Sequence, residues 1–432
     1  MNSSLFQKSH VINPDGCKES LDETIDYSSL AKAQRIALYL YFFSINFEVW
    51  DPLNTDGSFS IAKLMGFIYL LTIIPRIKNF LRVDGLQSFL RPVWLYFGLI
   101  TLIDCLNLTE MSGEFFDFSM FQNIFLLWFL MNHARQDSLV LEKGILSFTL
   151  GSVALSLLYS AGIGTEYELG RVMIFGDNPN AIGVRISIAL PIVILTVVQN
   201  RFNFGRLRYL LLISLPLLIK LLLETGSRVA LISIALMLVV GIVLFKTKSI
   251  FGKIASFAFG VLVCIYGWLI VMESDIYVKR LADTYYKGDL AGREVYWETL
   301  LPLIESNPFF GVGKIGYADF CQRAIGYLFS PHNVFLEVLC YTGIVGLSLY
   351  LTFLYRIAKK GYESYKTEGL LLPLLYLIPI AGLLFSGQIL STKIGWCLFA
   401  YITGVSLFTP KAESESVNEV DTFTPHDDSS PS

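Results

Sequence analysis

The sequence predicts an all-α integral membrane protein with about 12 transmembrane helices and one large periplasmic loop containing short amphipathic helices. Three observations carry this expectation. Hydrophobic residues make up 54% of the chain and charged residues only 16%, against about 25% charge in soluble domains. The apolar residues gather into runs long enough to cross a bilayer, and Lys and Arg concentrate in alternate loops between those runs.

A span needs about 20 mainly apolar residues. Candidate spans are Ala33 to Trp50, Ser60 to Pro75, Pro92 to Leu108, Phe118 to Asn132, Ile145 to Ile163 and Ala181 to Gln199. Leu207 to Leu223, Val229 to Phe245, Ile254 to Met272, Val334 to Arg356, Leu370 to Ser386 and Ile394 to Phe408 follow. Cytoplasmic loops are enriched in Lys and Arg. One alternate set of loops carries Arg76, Lys78, Arg82 and Arg91, then Arg135 and Lys143, then Arg201, Arg206 and Arg208, then Lys246, Lys248 and Lys253, then Arg356, Lys359, Lys360 and Lys366. The short loops of the other set hold no cation or a single one, namely Arg171, Arg228 or Lys393. Both termini are therefore expected in the cytoplasm. The stretch 273–332 has cations yet belongs to the outer set, and a loop of that length crosses regardless of its charge. Within it, Gly292 to Glu305 has the apolar spacing of an amphipathic helix, through Val295, Leu300, Leu301 and Ile304, and Asn307-Pro308 ends it.

The domain reading follows. Residues 1–30 form a disordered cytoplasmic tail, 31–408 a polytopic membrane domain, and 409–432 an acidic, Ser-rich, disordered cytoplasmic tail. The first apolar run comes too late for a signal peptide. With a net charge of −3 there is no basic patch for nucleic acid, and the six cysteines show neither a disulfide framework nor zinc spacing.

Four arginines on the outer side stand out: Arg171, Arg185, Arg228 and Arg293. Each also has a bland reading. Arg185 lies about one turn inside its helix and can snorkel, and Arg228 can pair with Glu224. Projecting into one cavity, they would grip an anion, because a guanidinium fork meets phosphate oxygens bidentately. At that depth the anion is a lipid pyrophosphate. His332, in Ser330-Pro331-His332-Asn333 at the start of the tenth helix, is the one neutral-pH base on the outer face, suited to taking a proton from a sugar hydroxyl. A hydrogen-bonded structural histidine is the competing reading. Asp51 and Asp56, beside Glu48, form an acidic group in the first outer loop, where a solvated turn is the simpler reading.

These residues resemble the O-antigen ligase and O-antigen polymerase family of bacterial surface-polysaccharide enzymes over about 207–351. The resemblance is carried by Thr225-Gly226-Ser227-Arg228, by Gly292-Arg293 with Trp297, and by Asn307-Pro308-Phe309-Phe310-Gly311-Val312-Gly313. His332-Asn333 with Leu336-Glu337, and Gly343-Ile344-Val345-Gly346-Leu347, complete it, with Asp177-Asn178-Pro179-Asn180 and Gly183 upstream. It implies an inner-membrane glycosyltransferase that moves a glycan from undecaprenyl pyrophosphate to a sugar hydroxyl of lipid A-core or another glycan acceptor, with no metal and no cofactor. Arg228 and Arg293 would bind the pyrophosphate, His332 would activate or orient the acceptor, and Arg171 and Arg185 would assist the pyrophosphate. One base and preorganised cations suit a single inverting displacement.

Polymerases of the family are similar to one another in an Arg and a Gly separated by ten residues in two outer loops. Here Ile182 and Ile304 stand in the Gly positions after Arg171 and Arg293. The ligase reading is therefore favoured, with the polymerase as its alternative. A flippase or exporter would show repeated halves and interrupted helices.

Overall fold

The computed structural model describes residues 21–53, 55, 60–107, 116–199, 202–244, 250–287, 292–386 and 389–408. The two expected tails at 1–20 and 409–432, and Asp56, lie outside the described residues.

Helices dominate from the first described residue. Helix α1 (Leu21–Ser44) begins inside the stretch expected to be a tail. Its buried face, Ala37, Leu38, Tyr41 and Phe42, lies near its C-terminal end, and helix propagates outward once such a segment is fixed. Then come α2 (Ile61–Ile73), α3 (Ile77–Phe80), α4 (Gln87–Leu106), α5 (Phe118–Gln136) and α6 (Val140–Ser160). Ser60 caps α2 by accepting from Lys63 N at 3.3 Å, and Asp117 caps α5 by accepting from Met120 N at 3.0 Å. His133 lies in the buried last turn of α5. Its Nδ1 is 3.0 Å from the Tyr69 hydroxyl, and the two rings stack.

An antiparallel hairpin, absent from the sequence expectation, follows: β1 (Thr165–Glu168) and β2 (Arg171–Ile174), with Glu168 opposite Arg171. Its two turn residues, Leu169 and Gly170, have φ of 50° and 77°, the left-handed pair that a tight two-residue hairpin demands.

Beyond the hairpin lie α7 (Pro179–Gln199), α8 (Ser214–Thr225), α9 (Arg228–Leu244), α10 (Ile250–Glu273) and α11 (Asp275–Lys287). They are followed by α12 (Arg293–Ser306), α13 (Gly313–Ile325), α14 (Val334–Glu368), α15 (Leu371–Leu375), α16 (Leu377–Ser386) and α17 (Lys393–Phe408). Helix α12 appears where the apolar spacing placed it, but its inner face is Leu300 and Leu303, while Val295 and Leu301 are about half exposed. Helix α14 runs past the expected stop near Arg356. Pairing of Glu363 with Lys359 and Lys360 sustains it, and left-handed Gly369 closes it.

Among the described residues, four helices are long and apolar enough to cross a membrane: α4, α6, α7 and α14. The pair Gly260–Glu273 and Asp275–Tyr286 makes a fifth if a path bent by 92° counts as one broken span, and the apolar helices at Arg228–Leu244, Leu371–Phe385 and Lys393–Phe408 are shorter. The main core is a band of aromatic and aliphatic side chains, among them Phe42, Tyr69, Tyr96, Phe148, Tyr350, Phe353, Tyr376 and Trp396. Here α5 packs on α17, α14 on α4, and α1 on α6 and α2. A second cluster seats the hairpin residues Val172 and Ile174 against α7 and α8.

Candidate functional site

The short junction between α8 and α9 shapes one wall of the site. Helix α8 ends at Gly226, in the left-handed conformation at φ 56°. A Cβ there would meet Ile276 and the Arg171 stem. Ser227 is buried and receives the Ala230 amide at 3.4 Å, starting α9. Gly183 of α7 packs directly beneath, where a Cβ would lie 2.6 Å from the Ser227 Cβ. The buried Tyr277 hydroxyl of α11 reaches the carbonyls of Leu222 and Ser227, each at 3.3 Å. Thr225-Gly226-Ser227 is thus a backbone fitting that aims Arg228 from the first position of α9.

The arginines differ in their surroundings. Arg171 donates its Nε–H to the Thr225 carbonyl and an Nη2–H to Asn180 Oδ1, both at 2.8 Å. It therefore ties the hairpin to the start of α7 and the end of α8. Arg228 donates to the Thr284 hydroxyl and, at 3.5 Å, to the Arg280 carbonyl of α11. Arg293 opens α12 after left-handed Gly292.

Burial, followed by the positive charge of Arg280 and that of Arg228, pulls the Arg171 guanidinium down to about 10. Burial and Arg228 likewise lower Arg293. Burial and Arg293 lower His332 below its ordinary value. The charge of Arg228 therefore bears on both Arg171 and Arg293, and that of Arg293 on His332, as expected for like charges in a partly desolvated space.

Arg185, expected beside the pyrophosphate, is held in a different environment. Only 4% exposed, it pairs with Asp177 and lies 3.9 Å from Glu48, which also pairs with Lys393. It reaches the Asn46 carbonyl at 3.4 Å as well. Two cations and two carboxylates there tie the end of α1 to the starts of α7 and α17. A buried charge is stable only when paired in this way, which accounts for an Arg one turn inside a helix. Asp51 forms a turn, accepting from Leu53 N at 3.1 Å and from both the amide and the hydroxyl of Thr55.

His332 sits on a prepared backbone. Its φ is 49°, a left-handed value that His tolerates better than most residues. Its amide donates to the Ser330 hydroxyl at 3.2 Å, and that hydroxyl donates to Glu337 Oε1 at 3.4 Å. Trp297 of α12 donates its indole N–H to the Pro331 carbonyl at 2.8 Å. Asn333 caps α14, receiving the amides of Phe335 and Leu336 at 3.0 and 3.4 Å.

The segment Asn307–Gly313 interlocks with a break in α14. Gly343, at φ 58° and ψ −158°, leaves the helix. The amides of Ile344 and Val345 then donate to the carbonyls of Pro308 (2.9 Å) and Phe309 (3.2 Å), and Val312 N donates to the Cys340 carbonyl at 2.9 Å. A Cβ on Gly311 would lie 2.5 Å from the Cys340 carbonyl oxygen, and one on Gly343 would collide with Phe309. Asp104 of α4 receives Ile315 N at 3.0 Å and so docks the start of α13. These glycines permit two backbones to touch.

Sequence reasoning missed Asn180, Tyr277, Arg280, Thr284, Ser330 and Glu337 as parts of this environment. A signal existed for three: Tyr277, Arg280 and Thr284 recur at helical spacing on one face of α11.

Fold and side chains together define a helical, membrane-protein-like chain with an arginine-rich site beside a histidine. Residues 213–351 match the family model described as O-antigen ligase, which supports membership of that family and an O-antigen ligase or polymerase type of activity in polysaccharide biosynthesis. No curated protein matches the chain. The matched stretch runs from the last residue before α8 into α14 and contains Arg228, Arg293 and His332.

Proposed function

We propose that this chain transfers a glycan from undecaprenyl pyrophosphate to a sugar hydroxyl of lipopolysaccharide core, as an O-antigen ligase at the periplasmic face of a bacterial inner membrane. The observation that carries the reading is the placement of the arginines: Arg171 is held on the Thr225 carbonyl beside Arg228, Arg228 reaches α11 through Thr284 and the Arg280 carbonyl, and Trp297, one turn beyond Arg293, ties α12 to the peptide before His332, within the stretch that matches the O-antigen ligase model. Pyrophosphate carries enough charge to draw several guanidinium groups together, and their forks fit its oxygens.

In the reaction, the acceptor oxygen bonds to the anomeric carbon as the bond from that carbon to the pyrophosphate oxygen breaks. The electron pair leaves with undecaprenyl pyrophosphate, and the hydroxyl proton passes to neutral His332. Arg228 and Arg293 stabilise the charge developing on the leaving group, and such preorganised cations serve in place of a metal. A single displacement inverts the anomeric configuration. Arg171 supports the pyrophosphate from the hairpin side. Arg185 stands outside this set because Asp177 and Glu48 already hold it.

The membrane arrangement we infer has about 12 spans, both termini in the cytoplasm and 273–332 outside. Its support is that contacts join element ends assigned to the outer face: Glu48 with Lys393 and Arg185, Asp104 with Ile315, and Asp117 with Lys314. A reporter fused after Lys287 should register outside, and fusions after Arg206 or Lys360 inside. A cytoplasmic Lys287 would sink the assignment.

The deciding experiment is glycan profiling of Arg228→Lys, Arg293→Lys and His332→Ala in a strain lacking the wild-type gene. Charge is kept in the first two and the fork is lost, and loss of the base costs on the order of a hundredfold. A ligase defect leaves long lipid-linked polymer and uncapped core, whereas a polymerase defect passes single repeat units to the core. Normal transfer by all three variants at normal protein levels would remove the site.

A further inference from the structure

A cleft apart from the arginines lies between α12, α13 and the C-terminal end of α4. Its volume is about 500 Å³, within the range of roughly 300–1,000 Å³ of small-molecule sites. Its lining is mixed, with Asn107, Ser306, Asn307, Asp319 and Arg323 on one hand and the apolar Leu303, Val312 and Phe320 on the other.

We propose that this cleft is a saccharide subsite, holding a part of the glycan remote from the reacting bond. The proposal rests on the glycan-transfer reading above and adds a second place of contact to it. A sugar presents hydroxyls that both donate and accept, and it presents C–H faces that lie against aromatic rings. Amide, hydroxyl, carboxylate and guanidinium groups around one aromatic ring answer both needs. A lipid chain would suit Leu303, Val312 and Phe320 but would leave the Asp319 carboxylate and the Arg323 guanidinium unanswered. A phosphate would be repelled by Asp319 beside Arg323.

The polar groups are available. Arg323 spends its Nε–H on the Asp319 backbone carbonyl at 3.2 Å. Its terminal nitrogens and the Asp319 carboxylate have no partner among the described residues. The frame beneath them is set in advance: Asn107 Nδ2 donates to the Val312 carbonyl at 3.0 Å, and Asn307 Nδ2 to the Leu303 carbonyl at 3.3 Å. Preset geometry lowers the entropy lost when an oligosaccharide binds.

Position supports the assignment too. Arg293 opens α12, and Ser306 and Asn307 stand at its far end, 14 residues along. At about 1.5 Å per residue the two ends are roughly 20 Å apart. A chain of several sugars spans that interval, so one molecule can engage the cleft while its reacting end lies at His332.

The test uses the full-length protein purified in detergent and two kinds of probe. The first is lipid-free oligosaccharide released by mild acid from the lipid-linked glycan of the producing strain, with binding followed by saturation-transfer NMR. The others are undecaprenyl-pyrophosphate donors carrying either the full repeat unit or one sugar. In an Asp319→Ala/Arg323→Ala double variant, oligosaccharide binding should weaken roughly tenfold or more. KM for the full donor should rise similarly, and kcat with the one-sugar donor should stay near wild type. His332→Ala should lose transfer and still bind the oligosaccharide.

Unchanged binding in the double variant, no binding by wild type, or equal loss with both donors would overturn the subsite. Should the double variant fail to accumulate, Asp319→Asn/Arg323→Gln is held to the same criteria. A wild-type protein that binds oligosaccharide yet transfers no glycan would overturn the transfer reading and leave the cleft a saccharide site.

Discussion

The indole N–H of Trp297 donates to the Pro331 carbonyl at 2.8 Å. Trp297 lies one helical turn beyond Arg293, and Pro331 precedes His332. One turn of α12 therefore carries the arginine and also anchors the peptide that leads to the histidine, so the two groups move together.

Trp297→Phe keeps most of the ring and loses the donor. A net hydrogen bond contributes about 1 kcal/mol, so transfer should fall roughly five- to tenfold while the protein accumulates normally. Single-turnover assays on purified protein would check this. Unchanged turnover would mean that the backbone at Pro331 is held by other contacts.

Ser330 couples His332 to Glu337, accepting from the His332 amide and donating to the Glu337 carboxylate. Ser330→Ala removes both links and should lower kcat about tenfold, with little change in KM for the donor. Ser330→Thr retains the hydroxyl and should restore most of the rate. Equal defects in the two variants would point to packing at residue 330.

In the proposed mechanism His332 acts as a base in its neutral form. Burial and the Arg293 charge hold its pKa below the ordinary 6.5, so less of it is protonated at a given acidic pH. The acid limb of the kcat/KM profile should accordingly fall below pH 6.5. Arg293→Gln removes the repelling charge, so the residual activity should show that limb shifted upward, whereas Arg293→Lys should leave it nearly in place. A limb that does not move in Arg293→Gln would separate the two residues electrostatically.

Arg185→Met should act on folding. It strands Asp177 in a buried position, and breaking such a pair costs about 3–5 kcal/mol. Accumulation and thermal stability in detergent should drop, and Arg185→Met/Asp177→Leu should recover part of both. A stable single variant that has lost transfer would instead return Arg185 to the substrate site.

Gly343→Ala and Gly311→Ala test the interlock. Gly343 occupies a backbone region open essentially to glycine, where strain of about 1–3 kcal/mol is normal for other residues, and a Cβ at either position strikes the opposing backbone. Both variants should accumulate poorly when measured by membrane immunoblot.

The apolar segments and the helix boundary signals were legible because each is local. Hydrophobic runs needed no partner to be seen, and Asn333 and Asn307 mark helix ends through bonds to their own neighbours. Arg228, Arg293 and His332 were legible as residues through motif order. The hairpin at 165–174 was hidden, since its strands are four residues each and mostly exposed on β1.

What the motifs do was settled only by long-range packing. In the sequence Asn307–Gly313 is a helix stop and a family motif, and in the structure it is a backbone clamp on α14, because carbonyls of Pro308 and Phe309 satisfy amides freed some 36 residues later. Arg185 and Arg228 are the same residue type beside similar helix ends. The sequence by itself determined that both are cations near the starts of apolar helices. Only tertiary structure decided that Arg185 meets the Glu48 carboxylate as well as that of Asp177, while Arg228 reaches Thr284 and bears on Arg171 and Arg293, because which charge faces which depends on segments from about fifty to well over a hundred residues apart arriving at one place.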